Sequence, residues 1–311
     1  MCEGPVVRAH SVRRASDLRS IAERGHVIQF QADARTLRRT RGKPEARLIG
    51  INDASTFHGF CRKHDTATFR PIEASPFAAT SEQCFLLLYR AWCREAYTKE
   101  AAARAAEMLR ELDKGRPFIE QLGIQTSVNA HITGVALGVR DVRHYKRIVD
   151  DALLVGDFTC VNSMVFEFGG TLPVVCSGAF FPYFDVEGRP LQIFDPERTL
   201  EPLAITLLND AGIGYAVFSW LASAADTPRA FMTAVERCDS LSNVIVRVAL
   251  LSIENVFVSP GWWASLLEDQ RIDISGRFAD NVDPYVDLRS DDLIPTVPAL
   301  LDMGVARPVL A

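Results

Sequence analysis

Residues 81–114 commit this chain to a helix on the order of 50 Å long. Apolar side chains recur at Phe85, Leu88, Trp92, Ala96, Ala105, Met108 and Leu112, and AAARAAEMLRELDK is made of strong helix formers. Thr80 followed by Gln83 predicts a capping box at its start, and Gly115 and Pro117 end it. A second helical stretch covers about 119–154, with a break expected near Gly134–Gly138. Helices this long must cover their apolar stripes, and packing against each other is the simplest solution. A helical hairpin over 77–155 therefore separates an N-terminal piece, 1–76, from a C-terminal one, 156–311.

Past Gly156 the residues are β-branched and aromatic, punctuated by turns. Segments 158–168 and 172–180 flank Gly169-Gly170 and predict one hairpin; 203–208 and 214–221 flank another turn. The expected result is an antiparallel meander of about five or six strands. Helices follow near 228–238 and 242–254, then Pro260-Gly261-Trp262-Trp263 and an acidic tail from Glu268. The N-terminal piece predicts a short helix near 15–23, an extended segment at 26–31 and a basic loop at 33–47. The fold class expected is α+β: a small N-terminal module, a long helical hairpin, and an antiparallel sheet with flanking helices. At 311 residues the chain is about two average domains long.

The formal net charge of −5 hides a division. Residues 1–70 carry 14 Lys+Arg against 7 Asp+Glu, and residues 71–311 carry 20 against 32. A +7 head is joined to a −12 body. Arg outnumbers Lys 29 to 5, so phosphate contacts would use planar guanidinium forks. No run of about 18 apolar residues predicts a membrane span. The first thirty residues are interrupted by charges and hold no signal-peptide core, so a cytoplasmic location is expected. Seven irregularly spaced cysteines then read as thiols or metal ligands, not disulfides.

The head also holds four soft-metal ligands in two clusters: Cys2 and His10 in MCEGPVVRAHS, and Cys61 and His64 in FCRKHD. The C-x-x-H spacing lets one turn offer a thiolate and an imidazole to one ion. Two such clusters make a closed tetrahedral zinc set, and zinc would staple a basic piece with little core of its own. The alternative is a buried thiol with exposed imidazoles.

The early cysteine, the Ala9-His10 step before a short helix, then Cys61, His64, Asp65 and Glu73, resemble the treble-clef module of HNH-like proteins. RAHSVRR, ERGHV and IGINDASTFHGFCRKHD also resemble a bacterial family of uncharacterised activity. The likeness covers about the first 75 residues and departs at the N-terminal knuckle, which usually has two cysteines where this chain has Cys2. Either His10 supplies the missing ligand or the knuckle is incomplete; a start placed too late would also account for it. The resemblance implies a zinc-binding protein that recognises nucleic acid, with a role in defence against foreign DNA. It also implies an alternative, a metal-dependent nuclease with His10 as general base and Asn52, His58 and His64 as helpers. His10 cannot be both ligand and base, and the structural role is favoured.

The basic residues around these clusters predict a phosphate-binding face: Arg8, Arg13, Arg14, Arg35, Arg38, Arg39, Arg41, Lys43, Arg47, Arg62 and Lys63. A competing reading is an interaction protein whose basic head docks on its own acidic body or on a second copy. Exposed by removal of Met1, Cys2 would weakly resemble an N-terminal nucleophile. Cys84 and Cys93 read as packing residues. Cys160 and Cys176 are expected on neighbouring strands. Glu254-Asn255 with Trp262-Trp263 forms either a ligand pocket or core. Ser177, Asp185 and Glu187 have no histidine at triad spacing, and no P-loop, GxGxxG or HExxH is present.

Overall fold

The computed structural model describes residues 4–31, 36, 39–40, 43–283, 286–294, 298–306 and 308–310. Strand β1 (Val6–His10) leads through two short helical turns, Arg14–Leu18 and Arg19–Ile21, to β2 (His26–Gln31). Then come β3 (Glu45–Gly50), β4 (Thr56–Cys61) and helix α1 (Arg62–Glu73), which runs through Pro71. β1 and β4 form a separate antiparallel ribbon.

Helices α2 (Ser81–Met108) and α3 (Phe118–Val155) are the expected hairpin, joined through a tight helical turn, Leu109–Asp113. The Thr80 side chain accepts from the Gln83 backbone N–H, as a cap should. The Gln83 side chain does not return to Thr80. It accepts from Ala78 N and donates to the carbonyls of Pro71 and Pro76, tying the end of α1 to the start of α2. α3 is unbroken at Gly134 and Gly138, contrary to expectation. A helical glycine costs only about 1 kcal/mol, which continuous packing along α2 offsets. Gly156, at φ 70°, ends α3 in the left-handed conformation.

The remaining strands are β5 (Val161–Phe168), β6 (Val174–Phe180), β7 (Leu203–Asp210), β8 (Ile213–Leu221), β9 (Val256–Val258) and β10 (Val309–Leu310). Helices α4 (Asp226–Glu236) and α5 (Leu241–Ser252) precede β9; α6 (Pro260–Ser265) and α7 (Glu268–Val282) follow it. The described residues form an eight-stranded antiparallel sheet in the order β10-β5-β8-β7-β6-β9-β2-β3. The β7–β8 hairpin is as expected, turning on Ala211 and Gly212, both at positive φ.

The hairpin expected at Gly169-Gly170 does not form, because β8 and β7 lie between β5 and β6. The connection instead crosses the end of the β7–β8 pair. Gly214 N donates to Gly170 O, and the Asn209 side chain bonds both backbone groups of Leu172. A Cβ at Gly214 would stand 2.6 Å from Leu172 Cγ, so glycine is required for this approach. Cys160 and Cys176 are consequently not on neighbouring strands.

The sheet also runs across the expected division at residue 76, since β2 pairs with β9 and carries β3 at the edge. Both faces are covered. Phe166, Phe218 and Ile205 face α5 and α7, while Val165, Val217 and Leu208 face α2 and the C-terminal half of α3. Strands buried on both faces read as continuous apolar runs. The acidic tail packs back on the body: Arg277 of α7 pairs with Asp291 and Asp292, and β10 joins β5. Among the described residues no helix is long and apolar enough to cross a membrane.

Candidate functional site

The ribbon and α1 make a strand–strand–helix unit, and its register decides which ligands can meet. Val6 is opposite Cys61 and His10 is opposite Thr56, so His10 and Cys61 lie at opposite ends of the ribbon. Four strand residues separate those ends by about 13 Å. His10 therefore does not share an ion with Cys61 and His64, which corrects the four-ligand set read from the sequence. Cys2 lies outside the described residues. Among the described residues no group of three or more His, Cys, Asp or Glu side chains is arranged to hold a metal ion.

Cys61 and His64 do converge. Cys61 is the N-cap of α1, and its sulfur accepts from the His64 backbone N–H at 3.5 Å. The same sulfur lies 3.4 Å from His64 Nδ1. A tetrahedral zinc with bonds of about 2.3 Å to sulfur and about 2.0 Å to nitrogen needs them about 3.5 Å apart. The pair thus fits half of a zinc site. Cys61 is buried and His64 exposed, so the half-site opens at the surface.

His10 is half-buried and hydrogen-bonds the Ile51 backbone. Burial, then the neighbouring Arg14 charge, lowers its pKa, so the ring is held neutral. Its Nε2 is buried and has no hydrogen-bond partner among the described residues. A base must reach the proton it takes, and this nitrogen faces the protein interior. Of the proposed helpers, Asn52 accepts from Arg14, while His58 and His64 are exposed on β4 and α1. Asp65 and Glu73, matched in the resemblance, both face Arg90 of α2. Glu73 is 2.6 Å from its Nη1, and Arg90 lies over the Phe69 ring. Burial pushes the Asp65 carboxyl above its ordinary value, with the Arg90 charge opposing.

The basic residues separate by environment. Arg13 is not a surface residue. It grips Asp17 through two bonds of 3.0 and 2.7 Å and donates to the carbonyls of Ile72 and Asn209. The two side chains are 6% and 3% exposed. Arg8 pairs with Asp53, Arg14 donates to Asn52, and both Arg39 and Arg47 pair with Glu45. Lys43, Arg62 and Lys63 are exposed with no ion pair among the described residues. Arg35, Arg38 and Arg41 lie outside those residues. Arg62, Lys63, Thr66 and Arg70 are exposed along α1, and Lys63 and Arg70 turn away from buried Phe69 and Ile72.

Glu254 does not meet the Trp262–Trp263 pair. Those rings pack against the main core, Trp263 edge-on to Phe30, and Asn255 is buried donating to Ser11 and Ser177. Ser177 is buried at that same knot, and Asp185 with Glu187 closes a turn onto Arg189. Glu254 lines a cleft of about 480 Å³ with Trp92, Glu95 and Lys99 of α2, of which the sequence pattern marks Trp92 alone, as an apolar position. The available signal was a lone carboxylate inside the apolar half of α2, FLLLYRAWCREAY. Comparison with family models, curated proteins and solved structures found no match.

Proposed function

We propose that β1, β4 and α1 form a zinc-stabilised module through which the chain recognises nucleic acid. The observation that carries this reading is the 3.4 Å approach of Cys61 Sγ to His64 Nδ1, the separation one tetrahedral ion requires. An ion held there would tie the end of β4 to the first turn of α1 and fix the angle of that helix. An ion held there would supply folding energy, with the two remaining tetrahedral positions filled by ligands other than this pair. The outer face of α1 supports the second half of the reading. Arg62, Lys63 and Arg70 stand exposed along a helix of about 18 Å, within reach of successive phosphates.

Metal analysis of the full chain together with anisotropy titration of a fluorescent DNA duplex tests both halves. Zinc that disappears in a Cys61→Ser/His64→Ala variant supports the module, and a metal-free wild type overturns it. Failure of the wild type to bind the duplex at low salt overturns nucleic-acid recognition. The nuclease reading gains nothing from His10, whose Nε2 is closed off. Duplex cleavage lost in a folded His10→Ala protein would restore it.

A further inference from the structure

The cleft that contains Glu254 stands apart from the ribbon and α1. Its walls come from α2, the segment after β6, the α5–β9 junction, and α7 with the residues after it. At about 480 Å³ it is the size of a small-molecule site. Trp92, Phe181, Tyr183 and Phe184 supply aromatic wall. Glu95 sits among them with its side chain 16% exposed. Its ion pair is with the adjacent Arg94 at 3.3 Å, whereas Glu254, exposed on the opposite wall, has no ion pair among the described residues. Asp292 and Arg289 also line the cleft, but Asp292 is bonded to Arg277 and Arg289 is bonded to Asp291. Lys99, one turn from Glu95, is the cleft's cation without an ion pair among the described residues.

We infer that this cleft binds a compact organic cation, an amine on a flat apolar body, with the ammonium between Glu95 and Glu254 and the body against the aromatic wall. Two physical facts favour a cation over a neutral or anionic ligand. Burial pushes the Glu95 carboxyl above its ordinary value and the Arg94 charge opposes it; the like charge of Glu254 adds to the rise and Lys99 counters it, so an ammonium between the two carboxylates relieves their mutual repulsion. Aromatic faces then add to the attraction for a cation and not for a neutral ring of the same shape. Glu95 stays in place without a ligand because Arg94 holds it from behind.

Calorimetric titration of the full chain with tryptamine, its neutral isostere tryptophol and indole-3-acetate tests this. Tryptamine should bind one per chain. Tryptophol should bind about tenfold more weakly and indole-3-acetate more weakly still. Glu95→Gln should weaken tryptamine about tenfold, and Glu254→Gln, an exposed change that leaves folding intact, about threefold. Lys99→Ala should tighten it. Equal binding of tryptamine and tryptophol, no binding of tryptamine at millimolar concentration, or indifference to both glutamate substitutions would overturn the inference.

Discussion

Replacing Arg13 with alanine separates the two roles open to a basic residue in the N-terminal piece. In the structure Arg13 is enclosed between the first helical turn, α1 and the end of β7. Asp17 takes two of its bonds, at 3.0 and 2.7 Å, and the carbonyls of Ile72 and Asn209 take others at 3.2 and 3.1 Å. Truncation leaves the Asp17 carboxylate, 3% exposed, without its counter-charge. Breaking one side of a buried ion pair costs about 3–5 kcal/mol. Two contacts of Asp17 survive, from Asn209 N at 3.2 Å and from Ser16 Oγ at 3.2 Å, which puts the expected loss near about 3 kcal/mol. Urea unfolding followed by tryptophan fluorescence reads this as a lower midpoint. The companion variant Arg13→Met/Asp17→Leu removes both charges and should recover at least about 1 kcal/mol of the loss. At a temperature where Arg13→Ala remains folded, its affinity for duplex DNA should match the wild type. A loss below about 1 kcal/mol, the level of an exposed pair, combined with weakened DNA binding would refute the assignment of Arg13 to the interior.

The exposed residues should behave in the opposite way. Arg62→Ala/Lys63→Ala should leave the urea midpoint within about 0.5 kcal/mol of wild type and lower the slope of log affinity against log salt by about 2. Glu95 has a pH signature, because its folded-state pKa lies above its ordinary value of 4.5, chiefly through burial. A carboxyl that holds its proton more tightly when folded adds stability below pH 4.5 and loses it as pH rises through the folded value. Glu95→Gln should therefore melt progressively higher than wild type as pH rises from 4.5, while binding tryptamine less well; a constant difference across pH would refute the burial argument.

Much of the architecture follows from local signals. Thr80 caps the first long helix where the sequence expects it, although the α-helix gives way at Met108 to the tight turn Leu109–Asp113 ahead of Gly115 and Pro117, and Ala211-Gly212 turns β7 into β8 with the geometry two-residue hairpins favour. Local signals failed where pairing is decided at long range. Gly169-Gly170 marks a chain reversal correctly, but no residue there reports that β8 and β7 enter between β5 and β6. That order is fixed by Asn209 and Gly214, some forty residues on, which accept the crossing backbone. The candidate metal site shows the same limit. Cys61 and His64 are three residues apart on one helical turn, so spacing alone brings them together. His10 and Cys61 are related through strand register, which the sequence does not display, and a five-residue strand is long enough to keep them apart. The charge division is real in the chain, yet it is not a structural boundary, because β2 pairs with β9 and Arg13 is bonded to Asn209. The cleft is hidden from local patterning for a related reason: its walls come from residues near 92–99, 179–184, 251–254, 278–283 and 286–293.

Zinc content of the purified full chain, measured for wild type and three variants, tests the central claim most directly. The account predicts one zinc per chain in the wild type, none in Cys61→Ser or His64→Ala, and an unchanged content in His10→Ala, because His10 stands at the far end of the ribbon. A wild type without zinc, or zinc that depends on His10 and survives loss of Cys61 and His64, would contradict it.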